Sequence, residues 1–310
     1  MTGAAGFIGS HLAEKLVASG RSVVGVDAFT AYYDPSRKRG NIAKLRESQR
    51  YRLVDGNLRD LDLDELLEDV DTVYHLAAQP GVRRSWGREF EVYLEENLHA
   101  TQLLLEAVRA KEVGRLVFAS SSSIYGDAEM LPTPESAAPL PVSPYGLTKL
   151  AGEHLCRLYF TRFGVPVVAL RYFTVFGPRQ RPDMAFTRFI EAASQGRELE
   201  VFGDGLQSRD FTYVDDAVDA TLAAGERGAP GELYNVAGGT QATVLEVIEA
   251  LAQILGREIS VRHLPPVPGD ARHTGGDTGK ARRELGYAPA TSLQEGLERQ
   301  VAAQAAAGDA

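Results

Sequence analysis

Short apolar runs alternate with longer amphipathic stretches through the first 173 residues. SVVGVD (22–27), YRLVDGNL (51–58), DTVYHLAAQPG (71–81), RLVFASSSSIYG (115–126) and VPVVALRYF (165–173) read as strands, their continuous apolar runs marking parallel strands buried on both faces. Between them the spacing of Leu12, Leu16 and Val17 predicts a helix over Ser10–Ser19, with Gly20 as its stop. A short helix is predicted over Leu61–Leu67, and long amphipathic ones over Asn97–Lys111 and Ser143–Gly164. This alternation is the pattern of an α/β fold with a doubly wound parallel sheet, whose ligands sit at the carboxyl ends of the strands.

After Phe173 the rhythm changes. TVFGPRQRPDM is rich in Gly, Pro and Arg; a helix over Ala185–Gln195 and the strand ELEVFG follow. SRDFTYVDDAVDATLAAG then leads back to the first sheet, ending in the strand GELYNVAG. Helices are predicted around Val244–Leu255 and Ser292–Ala306, with a frayed end beyond. The expected division is a dinucleotide-binding domain over 1–173 and 209–238, with a smaller substrate lobe over 174–208 and 239–310.

Composition narrows the partners. A net charge of −9 argues against nucleic acid or an anionic membrane. The single Cys156 excludes an internal disulfide and reads as a buried structural thiol. The chain offers no apolar run of membrane-spanning length, no signal peptide and no zinc-type histidine spacing, so no metal is predicted and cytoplasm is the expected location.

The candidate chemistry begins at the first residues. Gly3, Gly6 and Gly9 form a G-x-x-G-x-x-G turn opening a helix, where small residues let backbone approach a pyrophosphate and free N–H groups meet its charge. Asp27, eighteen residues beyond Gly9, is placed to bind both hydroxyls of an adenosine ribose. Its carboxylate repels a 2′-phosphate, favouring NAD over NADP, although Arg37, Lys38 and Arg39 offer the opposite charge nearby. Tyr145 and Lys149 share one helical face a turn apart. A free phenol titrates near ~10, too high for a base at neutral pH; an adjacent ammonium and a positive nicotinamide ring favour the phenolate. A hydroxyl from Ser120–Ser123 is available to hold a substrate hydroxyl; a serine run at a strand end also serves turn and cap chemistry.

TGAAGFIG, Asp27, HLAA at 75–78, Asn97, SSSSIYG, YGLTK and SRDFTYVDD, in that order, resemble the extended short-chain dehydrogenase/reductase family, specifically its nucleotide-sugar epimerases and dehydratases. The resemblance implies Tyr145 as base, Lys149 on the nicotinamide ribose and Ser121 as catalytic hydroxyl. It places the cofactor against Gly3, Gly6, Phe7, Ile8, Gly9, Asp27, Asn57, Leu58, Leu76, Ala77, Ala78 and Asn97. Asn57 stands where relatives carry an aspartate against adenine, and its amide oxygen can still accept from the adenine amine. Dehydratases and decarboxylases use a carboxylic side chain where this chain has Ser123, beside Ser122.

RYFTVFGPRQRPDMA, with Thr174 and Arg181, and AQPGVRRS, with Arg83, resemble the UDP-glucuronate 4-epimerase subgroup. Oxidation at C4 of a uronic acid gives a β-keto acid prone to lose carbon dioxide, so an epimerase must hold the carboxylate out of alignment with the ketone. Ser122, Ser123 and Thr174 offer hydroxyls for this without supplying an acid. Arg209 and, more weakly, Arg272 are the expected diphosphate ligands, a salt bridge to Asp210 or Asp270 being the alternative. UDP-glucose/galactose 4-epimerisation, decarboxylation and a non-catalytic NAD-binding module are the rival readings. The resemblance also implies a homodimer, with the helices around Asn97–Lys111 and Ser143–Gly164 pairing across a two-fold axis. One feature is out of pattern. Only Met1 and Thr2 precede the glycine turn, so the central first strand is expected to be missing, and Met1 to be a misassigned start.

Overall fold

The structure is a computed structural model that describes residues 1–266, 269 and 271–308. Strands β1 (Val23–Asp27) and β2 (Tyr51–Asp55) pair in parallel, as do β3 (Thr72–His75), β4 (Arg115–Ser121), β5 (Val167–Tyr172) and β8 (Leu233–Val236), in the order β3-β4-β5-β8. The space between β1 and β3 is held by the first two residues. Thr2 bridges Val26 on one side and His75 on the other. The Met1 carbonyl accepts from Val26 N–H at 2.9 Å, and Thr2 N–H donates to the Tyr74 carbonyl at 2.9 Å. The gap expected there is thus spanned at the one level that aims the glycine turn, because two extended residues suffice to pair both neighbours at that height. The α/β parallel-sheet reading holds.

Helix α1 (Phe7–Ala18) follows the turn directly and α2 (Pro35–Asn41) follows β1. The helix expected over Leu61–Leu67 shrinks to a turn at Leu63–Leu66. Before α3 (Ala100–Ala110) the chain makes a π-helical turn over Leu94–His99. Helix α4 (Pro144–Phe163) keeps its expected limits for local reasons: the Ser143 hydroxyl accepts from Gly146 N–H, Pro144 opens the helix, and Gly164 closes it with φ of 74°. Gly152 lets this helix lie against β4, since a Cβ there would meet Phe118 Cζ at 2.6 Å. That contact puts Tyr145 and Lys149 over the carboxyl end of β4.

Beyond β5 come α5 (Ala185–Ser194), β6 (Leu199–Phe202), β7 (Ser208–Asp210), α6 (Val214–Arg227), β9 (Gln241–Thr243), α7 (Val244–Leu255), β10 (Val261–Leu264), α8 (Gly279–Leu285) and α9 (Leu293–Gly308). β10 pairs with β6 in parallel and β9 with β7 antiparallel. One apolar core runs from Leu12 of α1 and Val117 and Leu170 of the sheet through Phe176, Phe186 and Val214 to Ile248 and Leu297. A second cluster, with Leu104, Phe118, Cys156 and Val167, seals α3 and α4 to the sheet. Cys156 is buried in it, and burial pushes its thiol far above its ordinary value. Residues 309 and 310, within the expected frayed end, lie outside the described residues.

Candidate active site

The glycine turn forms a cradle. Gly3 adopts φ of 67° and lies so close to the chain after β3 that a Cβ would meet Ala77 N at 2.8 Å. No side chain caps the start of α1 and no acid occupies its first turn, leaving its leading N–H groups for an anion. Above them opens a cavity of about 440 Å³ lined by Gly3, Gly6, Phe7, Ile8, Gly9, Asp27, Leu76, Ala77, Ala78, Ser121, Ser122, Ser123, Tyr145 and Lys149 among others. Most of the residues expected to hold the cofactor are therefore brought together. The cradle, the carboxylate at its adenosine end and the tyrosine–lysine pair at the other fit a dinucleotide.

Asp27 is buried and already partnered: it accepts from Ala5 N–H at 3.1 Å, Phe29 N–H at 2.9 Å and the Lys38 ammonium at 2.9 Å. Of the basic run, Lys38 thus turns inward as the carboxylate's counter-ion. Arg39 turns outward, over the Phe29 ring and onto Asp55. Three expected residues sit otherwise. Asn57 donates from its amide nitrogen to the Glu96 carboxylate at 2.9 and 3.1 Å and accepts from Arg59 N–H at 3.0 Å, while Leu58 is buried in an apolar cluster with Val26. It is Glu96, not Asn57, that lines the cavity. Asn97, fully buried on the π-helical turn, braces the site from behind: it bonds both backbone groups of Gln79 and the Thr148 hydroxyl, next to Lys149. The extra residue of that turn rotates Asn97 toward α4, which helical periodicity does not anticipate.

At the other end of the cavity the Lys149 ammonium donates to the Ala119 carbonyl at 2.8 Å and lies over the Phe118 ring. Burial lowers its pKa from the ordinary 10.5 to about 8. Tyr145 titrates above its ordinary value because of burial, while a hydrogen bond with Ser121 and the charge of Arg181 act against that shift. The interactions that counter burial at the phenol come from Ser121 and Arg181, where the sequence pointed to Lys149. Ser121 also accepts from Ser123 N–H at 3.1 Å, the cap chemistry expected of a serine run.

A second cavity of about 600 Å³ adjoins the first and is lined by Arg83, Thr174, Arg181, Arg209 and Arg272 among others. Thr174 and Arg181 belong to both cavities. A smaller chamber of about 160 Å³ brings Ser122, Ser123, Thr174 and Arg209 together. Arg83 stacks on Phe202, 4.2 Å from its ring centre. Arg209 donates to the Ser208 carbonyl at 2.8 Å, while Asp210 accepts from the Gly239 and Gly276 N–H groups. Arg272 makes a two-pronged pair with Asp204, at 2.8 and 2.6 Å. Asp270, its alternative salt-bridge partner, lies outside the described residues.

The pattern of the NAD dependent epimerase/dehydratase family matches residues 1–237. The chain belongs to that family. It is similar over 99% of its length, at 44% identity and a TM-score of 0.96, to the crystal structure of UDP-glucuronic acid 4-epimerase from Bacillus cereus in complex with UDP-glucuronic acid and NAD, of which it covers 98%. An uncharacterized UDP-glucose epimerase of Bacillus subtilis, YtcB, is 45% identical over 304 residues, 97% of this chain and 96% of the relative. MoeE5, solved with UDP-glucose and NAD, is 41% identical with a TM-score of 0.89, over 99% of this chain and 98% of that one. The chain is an isomerase, an NAD-dependent nucleotide-sugar 4-epimerase. Among the described residues no helix is long and apolar enough to cross a membrane.

Proposed function

We propose that the enzyme interconverts UDP-glucuronate and UDP-galacturonate. The observation that carries this is the small chamber lined by Ser122, Ser123, Thr174 and Arg209, with no Asp or Glu among its described lining residues. Hydroxyls there hold a sugar carboxylate out of line with a C4 ketone, and the absence of an acid in that lining removes the proton donor that dehydration or decarboxylation needs. The UDP-glucuronic acid in the Bacillus cereus relative supports the same reading.

Tyr145 takes the proton from the C4 hydroxyl, with Ser121 holding that hydroxyl and passing the proton on. Bound in the first cavity, NAD accepts hydride from C4 and returns it, so none is consumed. Lys149 fixes the nicotinamide ribose, and its ammonium, with the positive nicotinamide, draws Tyr145 toward the phenolate once the site fills. Arg209, Arg272 and Arg83 anchor the nucleotide diphosphate and its base while the ketone turns over. In this proposal the substrate lobe is built from 174–208 and 239–310. The enzyme works as a homodimer through α3 and α4; exposed Leu147 and Leu158, with His154 between them, form an outward stripe on α4 that supports this.

UDP-glucose as substrate is the second reading, favoured by the UDP-glucose bound to MoeE5. Separate incubation with UDP-glucuronate and UDP-glucose, followed by proton NMR of the sugar signals, decides between them. Equatorial H4 signals of a galacturonate should emerge from UDP-glucuronate about tenfold faster, or more, than galactose signals from UDP-glucose. A UDP-pentose, or a preference for UDP-glucose, refutes the proposal.

A further inference from the structure

The stretch between Phe176 and α5 crosses from the substrate side back onto the dinucleotide site, and it is tied down at two places. Arg179 donates to Glu14 on α1 at 2.7 Å and to the Ser10 hydroxyl at 3.3 Å. Four residues on, the Asp183 carboxylate accepts from the Tyr32 hydroxyl at 3.2 Å, and Tyr32 belongs to the loop that leaves β1 after Asp27. One tie thus grips the helix that follows the glycine cradle, and the other grips the loop beside the Asp27 carboxylate. Arg181 and Met184 of the same stretch line the cofactor cavity, as does Tyr32.

The stretch is held under tension. Arg179 has φ of 64°, a left-handed conformation that a side chain resists. Its neighbours enforce it: Gly177 N–H donates to Gln300 at 3.0 Å, and buried Gln180 donates to the Val175 carbonyl at 3.2 Å. The Tyr32 side of the clasp is braced by Arg84, 5.0 Å from its ring centre, and by Gly81, whose missing Cβ leaves room for the Tyr32 hydroxyl.

We propose that residues 177–184 clasp bound NAD, and that Tyr32 and Glu14 are positioning residues that keep the clasp shut and set how slowly the cofactor leaves. An epimerase that returns its hydride gains from a cofactor that stays between turnovers, and a tie at each side of the cavity mouth supplies this without closing the sugar side.

The test uses NAD-loaded enzyme diluted into ethanol and excess alcohol dehydrogenase, so that each released NAD is reduced and seen by fluorescence. Tyr32→Phe and Glu14→Gln should each speed release about 5-fold, the loss of one hydrogen bond's ~1 kcal/mol, and the double variant about 25-fold. High salt should speed release from the wild type but not from Glu14→Gln, because the Arg179 pair is partly exposed and screened. Asp219→Asn, which removes another α1 ion pair, with Lys15, should leave release unchanged. Wild-type release from the double variant overturns the proposal. So does equal acceleration in Asp219→Asn, which would mean general loosening of α1.

Discussion

Replacing Lys149 by Met should make the NAD-free protein more stable at neutral pH while it destroys turnover. The ammonium is buried, and burial lowers its pKa from 10.5 to about 8. The unfolded chain therefore binds more protons than the folded one between these values, and stability rises with pH through that window. Integrated, the depressed pKa costs the native state roughly 3 kcal/mol at pH 7 and under about 1 kcal/mol at pH 10. Methionine fills similar volume without charge but loses the bond to the Ala119 carbonyl, 2.8 Å long, which returns ~1 kcal/mol. The expected net gain is about 2 kcal/mol at pH 7, disappearing by pH 10. Urea denaturation of wild type and Lys149→Met at pH 7, 8.5 and 10 reads this directly. NMR turnover assays should show kcat reduced by at least ~10³, on the scale of a lost acid–base partner. A variant less stable than wild type at pH 7, or a difference that does not change with pH, refutes the reasoning.

The buried Glu153–Arg171 pair behind the active site, bonded at 3.0 and 2.8 Å and further tied to Ser120 and Tyr125, should behave in the opposite way. Glu153→Leu or Arg171→Met alone should cost about 3 to 5 kcal/mol in chemical denaturation, and the double variant clearly less than the sum; additive losses would contradict an uncompensated buried charge. If α4 forms the dimer face, Leu147→Glu with Leu158→Glu should convert a dimer to monomers in sedimentation velocity. A wild-type monomer at micromolar concentration would end that proposal.

Much of this protein could be read from its residues in order. Runs such as SVVGVD and VPVVALRYF became strands because continuous apolar sequence is soluble only when both faces are covered, and the limits of α4 followed from Ser143, Pro144 and Gly164, which act within one turn. Gly3, Asp27, Tyr145 and Lys149 were legible for the same reason: their chemistry depends on local spacing plus the fixed end of a parallel sheet. The decisions left to the tertiary structure are those in which distant side chains compete for one another. Lys38 could pair with Asp27 or face water; only the packing of α2 chose. Asn57 and Asn97 carry the same amide, yet Asn57 is bonded to Glu96 and Asn97, on the π-helical turn, to Gln79 and Thr148, and neither lines the first cavity. The ties from Arg179 to Glu14 and from Tyr32 to Asp183 join residues more than 150 positions apart. No periodicity reports such a pair, because its energy exists only after the core has brought the two segments together.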